Sequence, residues 1–412
     1  MTGKSSPATR DRLLQGLRGE GPAGLSEPEW GEVLELARRH GVVPFLHRRL
    51  KDRYAALGVP EPVQVQLRDT YRMTGIRNTR LFAQLNGILK GFREAGIDVV
   101  ALKGAHLAEL VYEEVALRPM ADVDLLVRAR DLRRATELLR SLGYASGEGE
   151  RQHQDPIDEN LHLEPMRKPG GLLIELHYAI AIPERMKDPD VEGLWIRAKP
   201  ARIGGAEALV LSPEDLLLHL CVHASLHHGF EVSLLHLCDI PAVVDHFQAR
   251  LDWTAFWDRA RAWGAERSAL VTFALTERLL GWRRPEAAAA PGGTLPAAPF
   301  DAVAVAERLI LDEGPAFARS AHLPKLWGDA SVGEKARLVL ERAFPSRAEM
   351  GFTFGLPASS WKVPMLYPLR LGQLLGRYAR PVMRAVRGDE ASRASIDVAK
   401  ERSRLVEWLG DR

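Results

Sequence analysis

The chain has 412 residues, 46% hydrophobic and 27% charged, with a net charge of +2 and a pI near 8.5. That length predicts more than one domain of roughly 100–200 residues, and that composition is ordinary for a soluble protein able to bury a sizeable core. With Cys221 and Cys238 as its only cysteines, no apolar run near about 18 residues and no strong basic excess, it excludes a disulfide framework, a membrane span and a dedicated nucleic-acid binder.

Residues 1–10 are small and polar and read as disordered; with no apolar h-region, no signal peptide is expected, and the protein reads as cytoplasmic. From Arg12 to Leu89 the pattern is helical: Trp30, Val33, Leu34 and Leu36–Ala37 form one apolar face, and Leu81, Leu85, Ile88 and Leu89 recur at three- and four-residue spacing. Residues 1–95 are therefore expected as an N-terminal helical segment.

The periodicity changes at Gly96. Ile97–Leu102 reads as a buried strand, Ala105–Tyr112 as a helix, Ala121–Val127 as a second strand and Asp131–Leu142 as a helix. Asn160–Pro165 and Leu172–Tyr178 read as strands around the turn at 168–171, and Leu194–Arg202 with Ala206–Leu211 as a hairpin across Gly204-Gly205. Residues 96–211 thus form an α/β core with a small mixed sheet. Ser212-Pro213-Glu214-Asp215 opens a helical domain over 212–345, with a Pro- and Gly-rich loop at 283–299 and helices at Ala302–Leu311 and Gly333–Ala343. The last segment, 346–412, is irregular to Leu366 and then basic and amphipathic around 369–386 and 392–409. The fold class is α+β.

The most informative stretch is Val99–Val127, VVALKGAHLAELVYEEVALRPMADVDLLV. Asp122 and Asp124, two apart on a strand, share one face, and paired carboxylates need a counter-charge, most simply a divalent cation. The Lys103-Gly104 strand end leading into a helix presents backbone N–H groups suited to a phosphate. Together they point to metal-assisted phosphoryl or nucleotidyl transfer.

Leu102-Lys103-Gly104, Arg118–Val127 (RPMADVDLLV), Glu175-Leu176-His177 and Ser212–Leu217 resemble, in order and spacing, the uncharacterised nucleotidyltransferase branch of the DNA polymerase β-like superfamily. The resemblance covers roughly residues 80–250. It implies a nucleotidyltransferase-type sheet core and a cytoplasmic enzyme that moves a nucleoside monophosphate from an NTP to an unknown small or macromolecular acceptor, releasing pyrophosphate. It places the three acidic positions on Asp122, Asp124 and Glu175, which would hold two Mg²⁺ ions, with Glu175 as ligand or general base. Lys103, Gly104 and Arg118 would hold the triphosphate, although Arg118 also suits a structural role beside the aspartate strand. Ala105 stands where the superfamily has a serine, which motivates the alternative of a non-catalytic nucleotide-binding regulatory module. Of the His-His pair often found before the third acid, only His162 is a match.

Further candidates for the cleft include His177, His223 and Asp239. His177 shares the face of Glu175, as an orienting, substrate-contacting or packing residue. His219, His223 and His227 recur at spacing four on one helix, and they line the cleft or bind zinc; on a straight helix, turns rising about 5–6 Å each oppose one shared ion. Asp239 lines the same cleft or pairs within the helical domain. Arg370, Arg377, Arg380, Arg384 and Arg387 suit a polyanion, but with no aromatic stacking platform a solvated helix face is the more frequent explanation, so nucleic acid stays a minority reading.

Overall fold

The computed structural model describes residues 5–146, 163, 165–180, 186–187, 190–291, 295, 298, 300–311, 344–345, 347, 350, 360–372 and 390–410. The chain divides into two compact units, one of residues 1–146, 161–312 and 408–412, the other of residues 147–160 and 313–407.

Four helices precede the first strand: α1 (Pro7–Arg18), α2 (Glu27–Arg39), α3 (Val43–Leu50) and α4 (Glu61–Glu94). The disorder expected over residues 1–10 is corrected from Ser6 onward, residues 1–4 lying outside the described residues. Ser6 Oγ accepts from the Thr9 backbone N–H at 3.1 Å, and Pro7 fills the first helical position, so the polar run is a helix cap. Arg18, at the end of α1, donates to the Arg278 and Leu279 carbonyls, tying the N-terminal helices to the helical part that follows the sheet.

The sheet is mixed and seven-stranded, in the order β3-β4-β5-β2-β1-β7-β6. Its strands are β1 (Val99–Ala101), β2 (Val123–Val127), β3 (Ala145–Ser146), β4 (Met166–Arg167), β5 (Leu173–His177), β6 (Lys199–Ile203) and β7 (Ala206–Val210). β2–β5 and β1–β7 are parallel pairs, and the other pairings are antiparallel. Phe82, Leu85, Ile88, Leu89 and Phe92 of α4 pack on one face against Val99, Val123, Leu125, Ile174 and Leu176. Each such side chain contributes about 1.5–3 kcal/mol on full burial. Gly204 and Gly205, both at positive φ, make the β6–β7 turn, and a Cβ on Gly204 would lie 2.5 Å from the Phe82 carbonyl oxygen, so only glycine fits there.

Between strands lie α5 (Lys103–His106), which runs into a π turn over Leu107–Val111, then α6 (Leu132–Ser141) and α7 (Val191–Arg197). Helix α7 corrects the strand expected from Leu194. Asp190 caps it by accepting from Gly193 N–H, Leu194 and Trp195 bury one face, and pairing begins only at Lys199. Of the strand expected at 160–165, residues 160–162 and 164 lie outside the described residues; Leu163 N–H donates to the Leu176 carbonyl of β5 at 2.8 Å, and Met166–Arg167 pairs with β5 as well.

The rest of the first unit is helical: α8 (Pro213–Val222), continued by a π turn at His223–His227, then α9 (Leu234–Phe247), α10 (Trp253–Ala262), α11 (Glu266–Leu280) and α12 (Ala302–Leu311). Ser212 caps α8 through the Asp215 N–H. The expected closing helix is α13 (Glu390–Leu409), and Val363–Leu366 forms a 3₁₀ turn. The helix expected at 333–343, His162, Arg377, Arg380, Arg384 and Arg387 lie outside the described residues, while Arg370 is buried. No described helix is long and apolar enough to cross a membrane, and both cysteines are free and buried.

Candidate functional site

On β2 and β5, Asp124 stands beside Glu175 and Leu126 beside His177. Because alternate side chains of both strands enter the core, Asp124, Glu175 and His177 emerge together on the other face. Their ligand atoms lie within 4.8 Å of one another, the one such group of acidic, histidine or cysteine side chains among the described residues. His177 Nε2 is 2.7 Å from Asp124 Oδ1 and 3.7 Å from Glu175 Oε2. An ionised carboxylate only accepts, so Nε2 carries the proton.

Lys103 Nζ donates to the same Asp124 oxygen at 3.1 Å. The Lys103 backbone has φ 36°, a left-handed conformation that costs a non-glycine residue about 1–3 kcal/mol. That twist ends β1 and starts α5 with the ammonium turned to Asp124. Burial alone would raise the Asp124 pKa, but the Lys103 charge and the His177 hydrogen bond outweigh it and hold the carboxyl well below the usual range. Burial opposes protonation of His177 too, yet its bonds to Asp124 and Glu175 raise its pKa.

Asp122 lies one residue before β2 rather than on it, and it has no hydrogen-bond or ion-pair partner among the described residues. Burial first, then the Asp124 and Glu175 charges, raise its pKa. The Lys103 and Arg118 charges offset this only in part, and carboxylate oxygens suit a hard divalent ion such as Mg²⁺. Asp124, Glu175 and His177 are the set whose ligand atoms could meet on one cation, and Asp122 stands close enough for its charge to be felt by that set without belonging to it.

Arg118 is fully engaged with Asp239 of α9: Nε donates to Oδ1 at 3.1 Å and Nη2 to Oδ2 at 3.0 Å. Asp239 is 0% exposed and also accepts from the Tyr112 hydroxyl at 2.9 Å. The remaining Arg118 nitrogen, Nη1, donates to the Pro119 carbonyl and sits 2.9 Å from where a Cβ on Gly104 would be. Gly104 thus admits the guanidinium edge beside the strand end. Asp239 lies beneath this arginine and is not an open cleft residue. Sequence reasoning passed over Tyr112 and Asn78, whose amide donates to the Val115 and Arg118 carbonyls and holds the segment before the aspartates. Asn78 was findable, because it falls on the buried stripe that continues as Phe82, Leu85 and Leu89.

His219, His223 and His227 converge at the α8 π turn, with His236 of α9 stacked on His223 at 5.6 Å. Burial lowers the pKa of all four, to about 3 for His219 and about 4 for His236, and the Lys103 charge adds to this. They stay neutral in the native protein where the unfolded chain, near 6.5, takes up protons. Stability from these rings is therefore present above pH 6.5 and lost as pH falls, by up to about 1.4 kcal/mol per ring per pH unit. Urea midpoints are expected to fall steeply from pH 7.5 to 5, and His219→Gln is expected to flatten that fall; an unchanged slope in the variant would mean the ring is not buried neutral.

A model of the family described as uncharacterised nucleotidyltransferase matches residues 26–281, which include every site residue named above. No curated protein and no solved structure matches the chain.

Proposed function

The chain belongs to the uncharacterised nucleotidyltransferase family, and on that premise we propose that it moves a nucleoside monophosphate from an NTP to an acceptor hydroxyl or phosphate, releasing pyrophosphate. The observation that carries this reading is the unpartnered Asp122 beside Asp124 and Glu175, a carboxylate group short of positive charge. Divalent cations held there, two Mg²⁺ by the superfamily's pattern, would neutralise the triphosphate and make the acceptor oxygen a better nucleophile. Glu175 ligates or accepts the acceptor's proton. His177, donating to Asp124, keeps that carboxylate ionised and aimed.

Lys103 donates to a phosphate oxygen when the nucleotide competes for its ammonium, and the Gly104 backbone lets the phosphate approach closely. With Nε and Nη2 committed to Asp239, Arg118 has its Nη1 edge beside Gly104 to add charge there. Ala105 gives no hydroxyl to the phosphate, so Lys103 and Arg118 carry that part of the binding.

The test is titration with each of the four NTPs, with and without Mg²⁺, followed by a pyrophosphate assay against acceptor pools. Binding that needs Mg²⁺, with pyrophosphate released, is the expected result. Metal-dependent binding without release in any pool would favour a regulatory nucleotide-binding module, and no binding would overturn both.

A further inference from the structure

The histidines of α8 have no part in the transfer proposed above. His219 is 1% exposed with neither ring nitrogen hydrogen-bonded, and His223 Nδ1 and His227 Nε2 are buried and unpartnered as well. Buried polar atoms are normally paired, so four such nitrogens in one cluster call for a ligand.

The backbone has brought these rings together. Residues eight apart on a straight α-helix are separated by about 12 Å along its axis. The His219 and His227 rings are instead 6.5 Å apart, and His223 is 6.0 Å from the first and 5.7 Å from the second. The π turn over His223–His227 accompanies this convergence, and such turns recur at functional sites. It removes the objection that three histidines on one straight helix cannot share an ion.

Imidazole nitrogens bind zinc at about 2.0–2.1 Å, which puts rings sharing one ion roughly 5–6 Å apart, centre to centre. The observed triangle is within about 1 Å of that spacing. Its nitrogens are not yet all turned inward, since only the Asp124, Glu175 and His177 set has its ligand atoms within 4.8 Å of one another among the described residues. Closure needs ring rotation on a backbone that is already bent. A fourth ring is at hand: His236 Nδ1 lies 3.1 Å from Ser233 Oγ and 3.3 Å from the Ser233 carbonyl, and in the tautomer that donates to that carbonyl Nε2 keeps a lone pair.

We propose that His219, His223 and His227 bind one borderline transition-metal cation, Zn²⁺ by preference, with His236 as fourth ligand. An all-imidazole, buried donor set selects this class over Mg²⁺. These rings lie within electrostatic reach of Lys103, and His219 also of Asp124 and His177, but none of them belongs to the Asp124, Glu175 and His177 set.

The experiment uses the full chain, stripped with a chelator and titrated with Co²⁺, whose four-coordinate imidazole complexes absorb strongly in the visible, and then displaced with Zn²⁺. One equivalent of Co²⁺ with that absorption is expected in the parent protein and in Asp122→Asn. The band should be lost in His219→Gln and in His227→Gln, so that if one variant fails to fold the other still decides. His228→Gln, which removes a neighbouring imidazole outside the proposed set, should keep it. No band in the parent, or a band surviving both substitutions, overturns the proposal. So does a band lost in Asp122→Asn, which would assign the ion to the carboxylates.

Discussion

Asp122→Asn is expected to lower nucleotidyl transfer by about 10³-fold or more while leaving the thermal midpoint unchanged or higher. A cation at developing charge supplies several kcal/mol, and each 1.36 kcal/mol is tenfold in rate, so losing one of its three carboxylates reaches that scale. The stability half follows from the local electrostatics. Asp122 has no hydrogen-bond or ion-pair partner among the described residues, and burial and its acidic neighbours make its charged form costly in the folded chain. An isosteric neutral amide removes that cost. A side chain that impairs the fold by being present and supports the reaction by being charged is the stability–activity trade-off of a site built for a cation. Mg²⁺-dependent NTP binding, pyrophosphate release and a melting curve on the same preparation check it. Undiminished turnover would sink the mechanism, and a collapsed midpoint would make Asp122 structural.

Asp239→Leu is expected to destabilise the protein by about 3–5 kcal/mol, the cost of leaving a buried charge without its partner. With about 2–4 °C per kcal/mol for large domains, the midpoint should fall by about 10 °C. The Arg118 guanidinium is held on both oxygens of Asp239, which is 0% exposed, so losing that carboxylate leaves a largely buried positive charge without its partner. Tyr112→Phe removes a single hydrogen bond to the same aspartate and should cost about 1 kcal/mol. The double replacement Arg118→Met with Asp239→Leu should recover much of the loss, because two apolar side chains leave no stranded charge. It should still bind NTP more weakly, since the charge beside Gly104 is gone. Denaturant unfolding of the three variants checks the order, and Asp239→Leu melting with the parent would show that the pair is not what secures α9 to the segment before the aspartates.

Much of this was legible in one dimension, for local reasons. Strand alternation placed Val123 and Leu125 in the core and Asp124 on the opposite face, and it did the same for Ile174 and Glu175. Cap chemistry located the start of α8 at Ser212-Pro213, and the same chemistry at Ser6-Pro7 would have located α1 had polarity not been read as disorder. Four short motifs in order were enough to name the family whose model matches residues 26–281.

Other features depend on groups far apart in sequence and could not be read from spacing. That Arg118 sits on Asp239 is a contact across 121 positions, decided by where α9 packs. That Asp124 shares its charge with Lys103 and His177 follows from the order β5-β2-β1, which brings three chain segments onto one oxygen. The histidine triangle depends on a π turn, a departure from the 3.6-residue repeat on which the periodicity argument rests. The sequence by itself picked out the candidate carboxylates, lysine and histidines, because residue type and strand or helix period are local. Only the tertiary structure decided which of them meet, because a buried charge or ring takes whatever partner the packing of distant elements brings to it.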